Sequence, residues 1–229
     1  MAGLVRDQIF NTFEDRVSRL SLCTRSPDAP EKQAFHGNAF NVYCELGTCL
    51  MLTCNHCLEK GELEDNQSYR VDFSKSCIPG FEVKVAYRDV DRDLALLRVD
   101  GLLQDLDYLN FADIDDVTAG TNVVLLAFYT MHGSVLDEPG TMSGNIVGLP
   151  DTSKPCQLIR SNYTSKPGAS GSPVIMEKQM AVVGVHCEGE FAAKYAISIQ
   201  CIKAALRDWS GSEENSSIFF MLEAIARNG

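Results

Sequence analysis

The sequence predicts an all-β protein, either a sandwich or a barrel, with helices at its two ends. Between residues 39 and 198, eleven short apolar runs are separated by Gly, Pro and Asp residues, a pattern typical of many short strands. Near both ends, apolar residues instead recur at the three- and four-residue spacing of an amphipathic helix. The 229 residues are 45% hydrophobic and 22% charged, which is ordinary for a globular protein.

The predicted elements fall into three groups along the chain. A helix is predicted over residues 3–20, followed by a polar, Pro-containing loop over residues 24–34. The predicted strands are Ala39–Cys44, Cys49–Thr53, Ser68–Phe73, Phe81–Tyr87, Leu94–Val99, Asn122–Phe128, Thr141–Val147, Gln157–Ser161, Pro173–Met176, Ala181–Cys187 and Tyr195–Ser198. A helix at Ile199–Trp209, a linker at 210–216 and a short helix at Ile218–Arg227 complete the chain.

The charge of the chain disfavours two classes of partner. Its net charge is −11 and its sequence pI is near 4.8, so its surface repels phosphate backbones and anionic lipids. The first twenty residues carry acids and bases throughout and lack the apolar core of a signal peptide. We therefore expect no nucleic-acid partner, no membrane binding and no secretion.

The cysteines predict a reducing, intracellular compartment such as the cytoplasm. There are nine, an odd number, and no secretory signal accompanies them, so we expect mostly buried, reduced thiols. One short motif, Cys54-Asn55-His56-Cys57, could indicate zinc, but no second pair follows at finger-like spacing. The sequence accordingly predicts neither a metal nor a cofactor.

Three segments carry residues suited to nucleophilic catalysis. His56 follows an apolar strand, Asp93 opens another, and Ser170 stands between Gly168 and Gly171. Each alone has an ordinary explanation as a structural His, a solvated cap or a surface turn. Together they supply a nucleophile, a base with a suitable pKa and a carboxylate that can orient the base.

Competing residues stand close to two of these positions. Ser165 and Ser172 flank the Ser170 segment, but neither has glycines two residues before it and one after it. Asp89 and Asp91 lie near Asp93, which alone directly precedes the Leu-Ala-Leu-Leu run.

Several motifs resemble those of one protein family. GNAF resembles GSGF, LTCNHCL resembles LTAAHC, RDLALLRV resembles DLALLKV, PGASGSPVI resembles GNSGSPVF, and VVGVHCEG resembles IGIHWGG. On these motifs, residues 35–206 resemble the trypsin-like serine proteases, especially HtrA-type proteases and bacterial glutamyl endopeptidases. The resemblance implies a chymotrypsin-like fold of two six-stranded antiparallel β-barrels.

The resemblance also implies a division of the chain. A protease domain would occupy residues 35–209, with barrel one at about 35–105 and barrel two at about 115–200. Residues 1–34 and 210–229 would add an N-terminal helix and loop, and a linker with a C-terminal helix.

Carried over position by position, the resemblance makes His56 the general base, Asp93 its orienting carboxylate and Ser170 the nucleophile. The N–H groups of Gly168 and Ser170 would form the oxyanion hole. This implies a serine endopeptidase that acts on a protein or peptide. The alternative is a catalytically silent module of the same fold that binds a peptide or protein partner, and nothing in the sequence indicates the oligomeric state.

The match departs from the family pattern at three positions. Ala169 precedes the nucleophile, where Asp or Asn is commoner, and Ser172 replaces the second Gly, as in glutamyl endopeptidases. Cys57 occupies the place of a disulfide half whose partner position falls near His36, so that disulfide is not expected.

The resemblance also places a substrate pocket, lined by Thr164 and Ser165 and by the strand that carries His186. A His at this distance after the nucleophile resembles glutamyl endopeptidases and the main proteases of picornavirus-like viruses. That likeness implies a preference for Glu or Gln at the substrate position before the cleaved bond, P1. The alternative is that His186 is only a strand residue.

A preference for Lys or Arg at P1 is less favoured, because residues 161–167 contain no Asp. Glu188 and Glu190 could still provide a negative charge.

Overall fold

The computed structural model describes residues 2–73, 80–189 and 193–228. Its helices are α1 (Ala2–Phe13), α2 (Ile199–Ser210) and α3 (Ile218–Asn228). Its strands are β1 (Val17–Ser26), β2 (Ala29–Glu45), β3 (Thr48–Cys54), β4 (Gln67–Phe73), β5 (Phe81–Asp89), β6 (Leu94–Asp100), β7 (Asn122–Ala127), β8 (Thr130–Met131), β9 (Ser134–Val135), β10 (Gly140–Gly148), β11 (Leu158–Ser161), β12 (Pro173–Met176), β13 (Ala181–Gly189) and β14 (Lys194–Ser198). Cys77 and Glu190 lie outside the described residues.

Two closed antiparallel barrels of six strands each form the body of the protein. Barrel one has the strand order β1-β2-β3-β6-β5-β4, and pairing of β1 with β4 closes it. Barrel two has the order β10-β11-β14-β13-β12-β7, closed by pairing of β10 with β7. Closure leaves neither barrel with a free edge strand, and inward apolar side chains such as Leu52 and Val124 are fully buried. The predicted all-β fold of two six-stranded barrels is confirmed.

The first strand of barrel one corrects the sequence prediction. The N-terminal helix ends at Phe13, and Val17 and Leu20, assigned to the same helix from their spacing, belong to β1. Val17–Cys23 is buried at six of its seven positions, so this strand lacks the polar alternation by which a half-buried strand is recognised. Barrel one thus begins at Val17, upstream of the boundary near residue 35 that the sequence predicts.

The predicted loop over residues 24–34 is also wrong. The chain turns at Pro27 and Asp28, and Ser26 then pairs with Ala29 at the start of β2. Residues 29–34 are exposed, so their polar composition resembles that of a loop, but backbone pairing with β1 holds them as a strand.

The two C-terminal helices match their predicted positions. Ser198 caps α2, its hydroxyl accepting a hydrogen bond from the N–H of Cys201, and Gly211 ends the helix at a φ of 65°. The α3 helix buries Met221 and Leu222 and is tied to barrel one, where the guanidinium of Arg98 donates to the carbonyl oxygen of Ala226 at 3.0 Å.

Candidate active site

Paired strand ends in barrel one bring His56 and Asp93 together. Strands β3 and β6 are neighbours, with Cys54 directly opposite Leu94, so the residues that follow β3 lie beside those that precede β6. His56 sits in a 3-10 turn at Asn55–Cys57. Its Nδ1 lies 2.6 Å from Oδ2 of Asp93, and its backbone N–H donates to Oδ1 of the same carboxylate at 2.9 Å.

The carboxylate acts strongly on the imidazole. The hydrogen bond that His56 donates to the Asp93 carboxylate raises the pKa of His56 from 6.5 to about 10, an effect that the neighbouring Cys57 thiol reinforces and desolvation opposes. Asp93 holds this position with a φ of 55°, in the left-handed region that non-glycine residues seldom adopt. The side chain of His56 remains 45% exposed, so its other ring edge can be reached from solvent.

Ser170 stands on a tight loop that enters β12 from barrel two. Gly168 and Gly171 both have left-handed φ values, 91° and 80°, which glycine adopts without steric cost. The loop packs against barrel one so closely that a Cβ on Gly171 would overlap the carbonyl oxygen of Asn38. The Ser170 hydroxyl donates to the carbonyl oxygen of Cys187 at 3.2 Å. Within the described part of the chain, no hydrogen bond joins Ser170 to His56.

Asn38, fully buried in β2, holds this loop from the opposite barrel. Its side-chain amide donates to the carbonyl oxygens of Gly168 at 2.8 Å and Phe128 at 3.0 Å, and its Oδ1 accepts from the N–H of Phe128 at 2.8 Å. Its backbone N–H donates to the carbonyl oxygen of Ser170 at 2.8 Å. The sequence motifs did not predict that Asn38 holds this loop, because the contacts join residues about ninety or more positions apart.

The two N–H groups expected to form the oxyanion hole belong to this loop. The N–H of Ala169 donates to the carbonyl oxygen of Lys166. Among the described residues, the N–H groups of Gly168 and Ser170 have no acceptor. They are therefore free to donate to another molecule.

His186 is buried in β13, with 3% of its surface exposed. Its Nδ1 lies 3.0 Å from the hydroxyl oxygen of Tyr163, and the two rings are in edge contact. Burial lowers the pKa of His186 to about 4 and raises that of Tyr163 well above its ordinary value. Both side chains are thus neutral near pH 7.

Two cavities flank these residues. One of about 390 Å³ is lined by His56, Asp93, Cys156, Leu158, Cys187 and Glu188. Another of about 260 Å³ is lined by residues 161–166, which include Thr164 and Ser165, together with Ala193 and Lys194. His186 lines neither cavity, so the structure does not bring it to the same surface as Thr164 and Ser165.

One cluster near the site has the donor atoms of a metal centre. Ligand atoms of Cys54, His56 and Asp93 lie within 4.8 Å of one another, and Cys54 is fully buried. The hydrogen bond between His56 and Asp93 occupies the space between two of these three donors, so an ion could bind there only by breaking it. Seven of the eight described cysteines are buried, and none of the eight is in a disulfide.

The comparisons with known proteins identify the family. A model of the trypsin-like peptidase domain matches residues 37–185, well over half of the chain. The chain belongs to the trypsin-like peptidases. The matched range includes the segments that carry His56, Asp93 and Ser170. The resemblance to this family that the sequence predicts is confirmed.

Solved structures agree on the fold of this trypsin-like peptidase. It is similar to the HtrA-type protease AlgW with decapeptide, at a TM-score of 0.69 and 14% sequence identity. The match covers 88% of this chain and 66% of that one, so this chain spans about two thirds of the HtrA-type protease. A search of curated proteins found no match. None of the described helices is long and apolar enough to cross a membrane.

Proposed function

We propose that the chain is a serine endopeptidase that hydrolyses a protein or peptide substrate through an acyl-enzyme. Ser170 attacks the scissile carbonyl, His56 accepts the hydroxyl proton, and Asp93 orients His56. The observation that carries this proposal is the 2.6 Å contact between His56 Nδ1 and Asp93 Oδ2 in a trypsin-like peptidase. The bond keeps the proton of neutral His56 on Nδ1 and leaves Nε2 as the base.

The proposed reaction requires the Ser170 hydroxyl to change its hydrogen-bond partner. Its hydrogen bond to the carbonyl oxygen of Cys187 must be exchanged for one to Nε2 of His56. Turning a serine hydroxyl between staggered positions crosses a small barrier, and apo sites often tighten only when substrate binds. The free N–H groups of Gly168 and Ser170 support a role in stabilising the oxyanion of the tetrahedral intermediate.

The proposal extends to a preference for Glu or Gln at P1. The buried phenol of Tyr163 keeps its proton and can donate it to Nδ1 of His186, which places the imidazole proton on Nε2. The backbone of Tyr195 already hydrogen-bonds this imidazole, so a neutral His186 donates to a P1 amide or carboxyl oxygen in exchange for that bond. Thr164 and Ser165 line the neighbouring cavity and would contribute further polar contacts. Because His186 is buried, a P1 side chain reaches it only once the cavity wall has moved.

An activity-based probe tests the catalytic proposal. A fluorophosphonate should label the wild-type protein and fail to label Ser170→Ala. Ser172→Ala, which removes a nearby buried hydroxyl outside the Gly-x-Ser-Gly frame that has no hydrogen-bond partner among the described residues, is the matched control and should be labelled like wild type. Labelling that survives Ser170→Ala would refute the assignment of the nucleophile.

The second candidate is a catalytically silent peptide-binding module. It is favoured by the hydrogen bond that holds the Ser170 hydroxyl on Cys187, away from His56. An unlabelled wild-type protein that cleaves no member of a peptide library, yet binds a peptide in calorimetry, would establish this function in place of the peptidase.

A peptide library tests the P1 preference. We expect cleavage after Glu or Gln, and we expect His186→Leu to lose that preference more than it loses labelling by the fluorophosphonate. Cleavage spread evenly over P1 residues would eliminate the role of His186.

A further inference from the structure

We propose that Cys156 and Cys201 form a redox-reactive dithiol that a peroxide converts to a disulfide. Cys156 lines the 390 Å³ cavity together with His56 and Asp93, and it is the one partly exposed thiol among the eight described cysteines. The site therefore opens onto the same groove as the proposed catalytic residues.

The backbone holds the two thiols side by side. Cys201 lies in the first turn of α2, and its thiol donates to the carbonyl oxygen of Pro155, the residue before Cys156, at 3.6 Å. The two thiols interact directly with each other, and this interaction raises the pKa of Cys156 and lowers that of Cys201 against the opposing effect of burial. A thiolate in the first turn of a helix is further stabilised by the helix dipole.

The two cysteines have different roles in this reaction. The Cys156 sulfur is accessible to peroxide, and the Cys201 thiolate closes the disulfide. The Cys201 thiolate accepts the proton of the Cys156 thiol, and the Cys156 sulfur attacks the peroxide to form a sulfenic acid. The hydroxide released from the peroxide takes that proton from Cys201 and leaves as water, which restores the Cys201 thiolate. The Cys201 thiolate then attacks the sulfenic sulfur, so that the S–S bond forms, the S–O bond breaks and hydroxide leaves. Two thiols give up two electrons, and the peroxide accepts them.

Oxidation removes a contact next to the proposed catalytic carboxylate. The Cys156 thiol donates to the carbonyl oxygen of Arg92 at 3.5 Å, and Arg92 directly precedes Asp93. A disulfide sulfur carries no proton, so this hydrogen bond is lost. We expect reversible loss of peptidase activity as a consequence, and this consequence alone rests on the proposed function.

Mass spectrometry tests the site without reference to activity. The full chain is reduced, desalted, treated with hydrogen peroxide, alkylated and digested. We expect a peptide pair linked through Cys156 and Cys201 that dithiothreitol separates. In Cys201→Ser the link cannot form, and the sulfenic acid on Cys156 should be trapped by dimedone. Cys23→Ser, which removes a buried thiol from β1, is the matched control and should form the link at the wild-type rate.

The other adjacent thiols provide an internal comparison. Cys44 and Cys49 face each other across β2 and β3, and Cys54 interacts with Cys57, but all four are buried. We expect the link between Cys156 and Cys201 to form at least about tenfold faster than either of these, because exchange and oxidation depend on access. The proposal is overturned if another pair links first, or if Cys156 and Cys201 remain free while peroxide modifies other cysteines. A link that forms without affecting activity would contradict the consequence for Asp93 and leave the dithiol intact.

Discussion

The side-chain amide of Asn38 donates a hydrogen bond of 2.8 Å to the carbonyl oxygen of Gly168 and so joins barrel one to the loop that carries Ser170. The same amide group binds Phe128 through both its donor and its acceptor. Asn38 therefore helps to fix the position of the proposed nucleophile loop relative to His56. The first prediction follows from removing it.

Asn38→Ala should destabilise the fold and weaken labelling of Ser170. The substitution leaves the N–H of Phe128 and buried carbonyl oxygens without partners, which costs about 2–4 kcal/mol in the free energy of unfolding. Urea unfolding and the labelling rate measure the two effects. Asn41→Ala is the control from the same strand, because Asn41 is also buried but donates to the carbonyl oxygen of Asp107. It should lose stability while retaining the labelling rate, and equal labelling of the two variants would contradict the role given to Asn38.

Gly171→Ala should destabilise the protein by more than the cost of its backbone conformation alone. Its φ of 80° costs an alanine about 1–2 kcal/mol, and the added Cβ would also overlap the backbone of Asn38 and approach Thr53 Oγ1 to 2.6 Å. Gly211→Ala isolates the first effect, because Gly211 has a φ of 65° and open space where its Cβ would be. We expect thermal unfolding to show a small loss for Gly211→Ala and a larger one, with labelling abolished, for Gly171→Ala. Similar losses would argue against close packing of the loop.

Peptidase activity should rise with pH through the alkaline range. His56 acts as a base only when neutral, and its pKa is raised to about 10, so the active fraction increases as pH climbs from 7 toward that value. The raised pKa also means that folding gains stability from protonated His56 below pH 6.5 and loses that gain as pH approaches 10. The pH profile of kcat/KM provides the measurement.

The variant Asp93→Asn tests whether the Asp93 carboxylate causes the raised pKa of His56. It should lower kcat about 10⁴-fold and move the remaining inflection toward the ordinary value of 6.5, because the neutral amide no longer favours the imidazolium. An inflection that stays alkaline would assign the raised pKa to a different neighbour.

Stability should fall in acid because of His186. Its pKa drops from 6.5 in the unfolded chain to about 4 in the fold, so the unfolded chain binds the proton more readily. The stabilisation is complete above pH 6.5 and is lost as pH falls toward 4, with a total of roughly 3 kcal/mol. Urea unfolding between pH 7 and pH 4 should show this slope in wild type and a flatter one in His186→Gln. Parallel slopes would place the acid sensitivity elsewhere.

The sequence predicted most of the fold because its strands are short, apolar and separated by turn residues. It failed at Val17–Cys23, where a strand buried on both faces has no alternation, and a helical spacing of Val17 and Leu20 fitted equally well. It failed again at residues 29–34, where exposure makes a paired strand look like a loop. Pairing between distant segments decided both cases, and composition does not encode such pairing.

In the candidate site too, the sequence predicted some features and not others. Motif text was enough to select His56 and Asp93, which the structure has in contact. It gave no sign that the hydroxyl of Ser170 would lie on Cys187, or that His186 would be shut away beside Tyr163. Those features depend on side-chain torsions and on contacts between strands, whereas the motifs record only which residue types stand side by side along the chain.

Closure of the two barrels has a mechanical consequence. Each barrel completes its own hydrogen-bond ladders, so the relative rotation of the two barrels is fixed only by contacts between them, such as the bonds from Asn38 to Gly168 and Ser170. His56 and Asp93 belong to one barrel and Ser170 to the other, so a rotation between the barrels changes the distance between the proposed base and the proposed nucleophile. A displacement of about 1 Å can cost an enzyme about 100-fold in rate. A change at the contacts between the two barrels therefore alters the proposed reaction without altering His56, Asp93 or Ser170 themselves.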